Sequence, residues 1–422
     1  MKRKLLYCGI LAAFMLFHGT SFAKDVIVDG LVYQLNDKDG TASLYTKTDV
    51  VITGDVVIPD VVTDNGNAYT VTVITGTPFK ANTKITSVHL PSGLKKLVGR
   101  TFEGCTNLEK VTGGPESLDQ IDAYTFDDTK WLNDQPDGFV VFKKWVLAYH
   151  GSYNGETFAI PNGVIGVVHN SFQANGSSIT SKKLFIPASV KSYSYMDVTY
   201  LRTLERIEGD VANVTYFNDA AGALYAYDYE YLRDGSYVTG QALIAMPPMI
   251  KADIFNVHSG TKFLASYSGS VTGIEQFNVP EGVEVLSMNV FRNASPKNID
   301  LPSTIVDLDF GLYSTGNTDK VVIRATTMPK YDRLLFKNSW NTTLYVPDAL
   351  VDAYKAVSTF TENLKNILPL SQYEGVDDVT VSSDATVIAI YGADGAERNC
   401  LQPGINIVRY SDGTARKVFH RD

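Results

Sequence analysis

Cysteine is scarce: the 422 residues hold only Cys8, Cys105 and Cys400. Cys8 falls in the N-terminal leader described below, and two remaining thiols cannot staple a disulfide scaffold, so a buried core must hold the fold. Basic charge is also short. Lys and Arg number 37 against 46 Asp and Glu, a formal net charge of -9, and losing Lys2, Arg3 and Lys4 with the leader takes it to -12. This argues against nucleic acid as a partner, because phosphate binding relies on clustered cations that displace counterions. After the leader no apolar run approaches the roughly 20 residues of a spanning helix, so no integral membrane span is expected. Catalytic signatures are missing too: there is no nucleophile elbow, Walker loop, HExxH or paired CxxC. His89, His150, His169, His258 and His420 stand at no ligand spacing, so neither a metal nor a cofactor is expected.

What is present begins with a basic head, Lys2-Arg3-Lys4, an apolar run from Leu5 to Phe17, and a small-residue exit at Ser21-Phe22-Ala23. Residues 1–23 read as a signal peptide. The mature chain is then expected outside the cytoplasm, extracellular or at the cell surface, with outer-membrane association or a periplasmic location within the same reading. At 44% hydrophobic and 20% charged, the composition is that of a folded protein.

The strongest signal is a repeat. In TSVHLPSGLKKLVGRTFEGCTNL, residues 86–108, the apolar positions are Val88, Leu90, Leu94, Leu97, Phe102, Cys105 and Leu108, with Pro91 directly after Leu90. Leu97, Phe102 and Leu108 follow Ile74, Phe79 and Ile85 by 23 residues each, and Ile121, Phe126 and Leu132 follow them by 24. Near the other end, Val279, Val283, Leu286 and Phe291 precede Leu301, Ile305, Leu308 and Tyr313 by 22. Ile58-Pro59, Ile160-Pro161 and Ile186-Pro187 are related fragments, each with Pro locking the turn after an apolar strand residue. One such unit cannot bury its apolar face alone. Units therefore stack, and Phe102 is expected to lie on Phe79 and Phe126.

These residues resemble the BspA-like family of leucine-rich repeats, whose unit is L-x-x-I-x-I-P-x-x-V-x-x-I-x-x-x-A-F-x-x-C-x-x-L. The resemblance extends to the entry VDGLVYQL, the insertion WLNDQPDGFVVFKKWVLAYHG and the exit LYVPDALVDAYKAV, and covers residues 24–372. It implies a mainly β, right-handed solenoid with one short parallel strand per 22–24-residue turn, capped at both ends. Residues 24–68 form an N-terminal β cap and first repeat. The solenoid follows over 69–372, with a degenerate middle at 193–275 and a helical C-terminal cap at 348–368. In the entry, Val26 to Tyr33 and Ala42 to Val57 read as strands turned at Asp39-Gly40. In the exit, Asp348 is placed to cap a helix carrying Leu350, Val351, Tyr354 and Val357, followed by Leu364 and Ile367.

Residues 376–422 change style. Short β runs at Val387 to Tyr391, Ile405 to Tyr410 and Ala415 to Phe419 are separated by Asp394-Gly395, Pro403-Gly404 and Asp412-Gly413. This module is similar to C-terminal tails of secreted proteins, some of which are sorting signals; a plain stabilising β module fits the same residues.

Candidate binding residues are few. LYAYDYEYL places Tyr225, Tyr227, Tyr229 and Tyr231 at period two, so an unbroken strand sets all four phenols on one face, fit to stack on sugar rings or anchor a protein loop. A strand packed over the degenerate coils, with Asp228 and Glu230 toward water, shows the same stripe. Ser87, His89 and Lys110 are outward positions on repeat strands and mark a binding face. Asn36-Asp37-Lys38-Asp39-Gly40 lacks the spacing of a calcium loop and reads as a tight turn. Cys105 reads as a small buried filler. The resemblance implies a secreted or cell-surface, non-enzymatic protein that binds host or cell-surface proteins. A glycan-binding accessory protein of a polysaccharide-uptake system is the second reading, and a hydrolase the third.

Overall fold

The computed structural model describes residues 24–173, 178–193, 195–269, 271, 273–291, 294, 296–313, 318–373, 386–392, 395–402, 404–411 and 415–420. The leader at 1–23, Pro403, the Asp412-Gly413 turn, Asp394 and Arg421 lie outside them.

Short strands stack in parallel, one on the next. Gly54–Val57, Ile85–Leu90 and Lys110–Gly113 make a first ladder, and Thr157–Ala159, Lys183–Ile186 and Arg206–Gly209 a second. Ile254–Asn256, Gln276–Asn278, Asn298–Leu301, Lys320–Ile323, Ser339–Val346 and Leu364–Pro369 make a third. Where the repeat is intact the register follows its period, Val88 pairing with Val111 and Phe277 with Ile299, whereas Val56 pairs with Val88 and Phe158 with Leu184 across longer coils. Coils also carry a second, shorter ladder, in which Ile74, Leu97 and Ile121 align.

The predicted aromatic stack is present. Phe79 and Phe102 have ring centroids 5.2 Å apart at 5°, and Phe102 and Phe126 5.5 Å apart at 9°. Beside them the Cys105 thiol donates to the Phe79 carbonyl at 3.0 Å. Near the other end Phe291 and Leu312 are buried, whereas Tyr313, the predicted counterpart of Phe291, is only half-buried.

Two strands divide the interior. The insertion forms a hairpin of Gly138–Phe142 and Trp145–His150, in which Trp145 and Leu147 enter the first core while Val146 and Tyr149 enter the second. Further on, Leu224 and Ala226 face the second core while Ala223 and Tyr225 face the third. Strands buried on both faces thus separate three apolar clusters, although a register shift in the first hairpin puts both Leu147 and Ala148 on the side of the first core.

Both lids depart from the sequence reading. Val26 to Tyr33 is not one strand but a hairpin of Asp25–Val28 and Leu31–Asn36. Its Asp29-Gly30 turn takes positive φ at both residues, the geometry that Asp-Gly pairs adopt in tight hairpins. Ala42 to Val57 likewise divides into Thr41–Lys47 and Gly54–Val57. Within 348–368 helix is confined to Asp348–Leu350, Val351–Lys355 and Ser358–Thr361, and Leu364 and Ile367 lie on a further parallel strand. Asp348 is not the N-cap. Its carboxylate accepts from the Ser371 amide at 3.0 Å, tying the exit segment to the lid. The C-terminal module is a four-stranded antiparallel sheet of Glu397–Arg398, Val387–Gly392, Gly404–Tyr410 and Ala415–His420.

Candidate binding surface

On the first ladder, Val88 and Leu90 point inward and are fully buried, which leaves their neighbours to solvent. A register shift at Gly54/Asp55 brings both Thr86 and Ser87 to Asp55. The Asp55 carboxylate accepts from Ser87 Oγ at 2.5 Å and Thr86 Oγ1 at 3.3 Å. Those donors, with the charge of Lys110, hold its carboxyl below the usual carboxylate range. Lys110 lies directly across from Ser87, and Thr112 from His89. Thr112 Oγ1 lies 3.3 Å from the Val88 carbonyl and 3.0 Å from His89 Nδ1, so it bonds the imidazole to the neighbouring strand. At the strip's end, Asp60 accepts from the amide and hydroxyl of Ser92 at 2.6 and 3.0 Å. Ser87, His89 and Lys110 thus lie together on one strip, half-buried or exposed. Alternating donors, acceptors and a cation at the roughly 4.8 Å strand spacing suit a polar protein contact.

The tyrosine row does not stay on one face. In the hairpin of Leu224–Arg233 and Ser236–Ala245, the register shifts between Ala226 and Tyr229. An extra residue reverses which side each later residue faces. Tyr225 is fully buried, its hydroxyl donating to Asp219 Oδ2 at 3.3 Å and accepting from the His258 amide at 3.1 Å. Burial pushes that phenol well above its usual value. Tyr227 stacks beside Phe217 at 4.6 Å and keeps 47% of its surface exposed. Tyr229 and Tyr231 are half-buried, and each lies 5.9 Å from Phe263. Phe217, on the adjacent strand of the same sheet, and Phe263 and Asp307, from later coils, are the partners that take up these rings, and none carried a mark in the sequence.

Asn36-Asp37-Lys38-Asp39 is a turn, as read. Asn36 Oδ1 accepts from the Lys38 and Asp39 amides at 3.1 and 3.3 Å, and Asp37 accepts from the Tyr69 hydroxyl at 2.6 Å. Among the described residues no group of three or more His, Cys, Asp or Glu is placed to hold a metal ion, and no helix is long and apolar enough to cross a membrane.

Cys105 is buried and Cys400 exposed. Burial pushes the Cys105 thiol up to about 11, and only the thiolate reacts. Under native conditions at pH 8 a disulfide reagent such as DTNB is expected to titrate Cys400 alone, with Cys105 reacting only on addition of denaturant. A second thiol reacting at a comparable rate in the folded protein would show that this coil is open.

A family model described as "BspA type Leucine rich repeat region" matches residues 72–196 and 256–372, in six copies. The stretch between the matches contains the tyrosine hairpin. No curated protein matches the chain. Among solved structures, the chain is similar to a leucine-rich repeat protein from Eubacterium ventriosum, at 18% identity over 81% of this chain and 83% of that one, with a TM-score of 0.39. It is similar to a leucine rich cell surface protein from Faecalibacterium prausnitzii at 16% identity over 83% and 96%, TM-score 0.34. A third is the pneumococcal vaccine antigen PcpA, at 14% identity over 83% and 99%, TM-score 0.32.

Proposed function

The chain belongs to the BspA-type leucine-rich-repeat family, and from that premise we propose that it is an exported, cell-surface, non-enzymatic protein that binds other proteins through the outward side chains of its coils. The observation that carries the reading is the strip of Asp55, Ser87, His89, Lys110 and Thr112, held on paired strands anchored by the fully buried Val88 and Leu90. A surface fixed before contact loses little side-chain freedom on binding, which suits recognition of a large partner. The leader at 1–23 supports export.

The test is a pull-down of immobilised residues 24–422 against extracellular matrix proteins, followed by affinity measurement on whatever is retained. Ser87→Ala, His89→Ala and Lys110→Glu combined are expected to weaken binding at least tenfold, about 1.4 kcal/mol, with unfolding unchanged. Undiminished affinity in the triple variant would remove the strip from the interface.

The glycan reading is favoured by one observation, the exposed face of Tyr227. It requires saturable binding on a glycan array that Tyr227→Ala abolishes and Tyr229→Ala reduces.

A further inference from the structure

The distal part of the tyrosine hairpin, from Tyr229 to Gly240, lies across neighbouring coils. Tyr229 and Tyr231 rest on Phe263, and the Tyr231 hydroxyl donates to Asp307 Oδ2 at 3.3 Å. Arg233 Nη1 donates to Glu284 at 2.9 Å, and Lys330 to Asp234 at 3.3 Å. Glu284 is shared with Lys262, 3.3 Å away. The other strand passes so close that a Cβ at Gly240 would lie 2.8 Å from Lys262 Cδ and 3.1 Å from Phe263 Cε2.

The two halves of the hairpin are held differently. At its base Leu224, Tyr225, Ala226, Ala242 and Leu243 are fully buried. Beyond the register shift the contacts include the half-buried Tyr229, Tyr231 and Val238, the Tyr231 hydroxyl on buried Asp307 and a few half-buried or exposed ion pairs, while Leu232 and Tyr237, directly opposite each other, stay 55% and 72% exposed on the far side. The exposed pair of Lys330 and Asp234 exchanges readily with water and salt. Tyr and Arg are also the residues that dominate protein interfaces. The arm therefore sits on the coils as a bound segment does, and the register shift at Ala226/Tyr229 divides it from the base.

We propose that the surface beneath the arm is a peptide-recognition site that the chain's own hairpin occupies in cis. Phe263, Glu284, Asp307 and Lys330 line it. Its ligand is an extended segment carrying two alternating aromatic residues, then a basic residue at the same alternation, then an acidic one, the order of Tyr229, Tyr231, Arg233 and Asp234. The inference rests on the protein-binding reading and gives the chemistry of one partner. A tethered arm competes at an effective concentration near millimolar, so the intact chain shows the site only weakly.

The probe is a fluorescein-labelled peptide of residues 228–241, followed by anisotropy. Against a chain in which Tyr229–Gly240 is replaced by Asn-Gly, saturable binding is expected, at least tenfold tighter than to the full chain. Binding should fall tenfold with Arg233→Glu in the peptide and return with Glu284→Arg in the protein. Equal affinity for both chains, or no binding to a folded shortened chain, overturns the proposal.

Should the shortened chain not fold, the full-length Gly240→Val variant replaces it. Its extra side chain is expected to raise hydrogen exchange of the Tyr229–Gly240 amides at least tenfold, leave the base protected and admit the peptide. Unchanged exchange overturns the proposal, and a dimer that takes up no peptide assigns the site to a second copy and overturns the peptide assignment. Loss of peptide binding with matrix-protein binding intact would sink this site and leave the protein-binding reading standing.

Discussion

Phe102→Ala is expected to lower the free energy of unfolding of the N-terminal coils by about 4 kcal/mol, in the middle of the range for Phe-to-Ala changes in cores. The ring is fully buried and stacks on Phe79 on one side and Phe126 on the other. Its loss therefore removes two aromatic pairs, each worth about 0.5–1.5 kcal/mol beyond area burial, and leaves a void between coils whose strands are fixed by their ladders. Phe79→Ala, which removes one of these stacks, is expected to cost less, and Phe102→Leu to recover about half the loss. Urea unfolding followed by far-UV circular dichroism measures all three. A cost under about 1 kcal/mol for Phe102→Ala would mean that the coils are not coupled through this stack.

Gly113→Ala is expected to cost about 3 kcal/mol or more. Gly113 takes φ +72°, and a Cβ there would sit 2.2 Å from the Leu90 carbonyl oxygen, which is backbone and has no flexible side chain to yield. Left-handed φ alone costs an Ala about 1–2 kcal/mol; displacing a paired strand adds the rest. Gly235 is the control. It has φ +81° with nothing within 4 Å of the added carbon, so Gly235→Ala should cost only the conformational part. Equal losses in the two variants would show that the close approach at Leu90 carries no energy. Because Gly113 pairs with Leu90, its substitution also disturbs the strand that carries Ser87 and His89. Partner binding through the strip should therefore weaken along with stability.

How much of this was legible in the sequence depended on whether the signal was periodic or local. Phe79, Phe102 and Phe126 were readable because an apolar residue recurring at nearly constant spacing has few uses other than stacking. The strip of Ser87, His89 and Lys110 followed from the same period. Helix and strand were confused at Leu364 and Ile367 because a three-residue apolar spacing after a helical stripe continues the helix on paper, whereas pairing with Ser339–Val346 makes that stretch a strand. The turn at Asp29-Gly30 was overlooked although its dipeptide is the same as at Asp39-Gly40. The tyrosine row failed for a different reason. Its period-two pattern is real, but the register shift after Ala226 depends on which residues stand opposite, and the rings' partners lie on the preceding strand at Phe217 and on later coils at Phe263 and Asp307.

The two strands that face separate cores, Trp145–His150 and the one opening with Leu224 to Ala226, act as bulkheads in a hull. Loosening in one compartment need not flood the next, since each wall keeps its other face packed. Partial denaturation monitored by amide exchange should thus sort the coils into three groups that open at different denaturant concentrations, and a single simultaneous opening would show the walls to be leaky. Under the export proposed above, this layout protects against proteases, because a nick in one section leaves the remaining sections afloat.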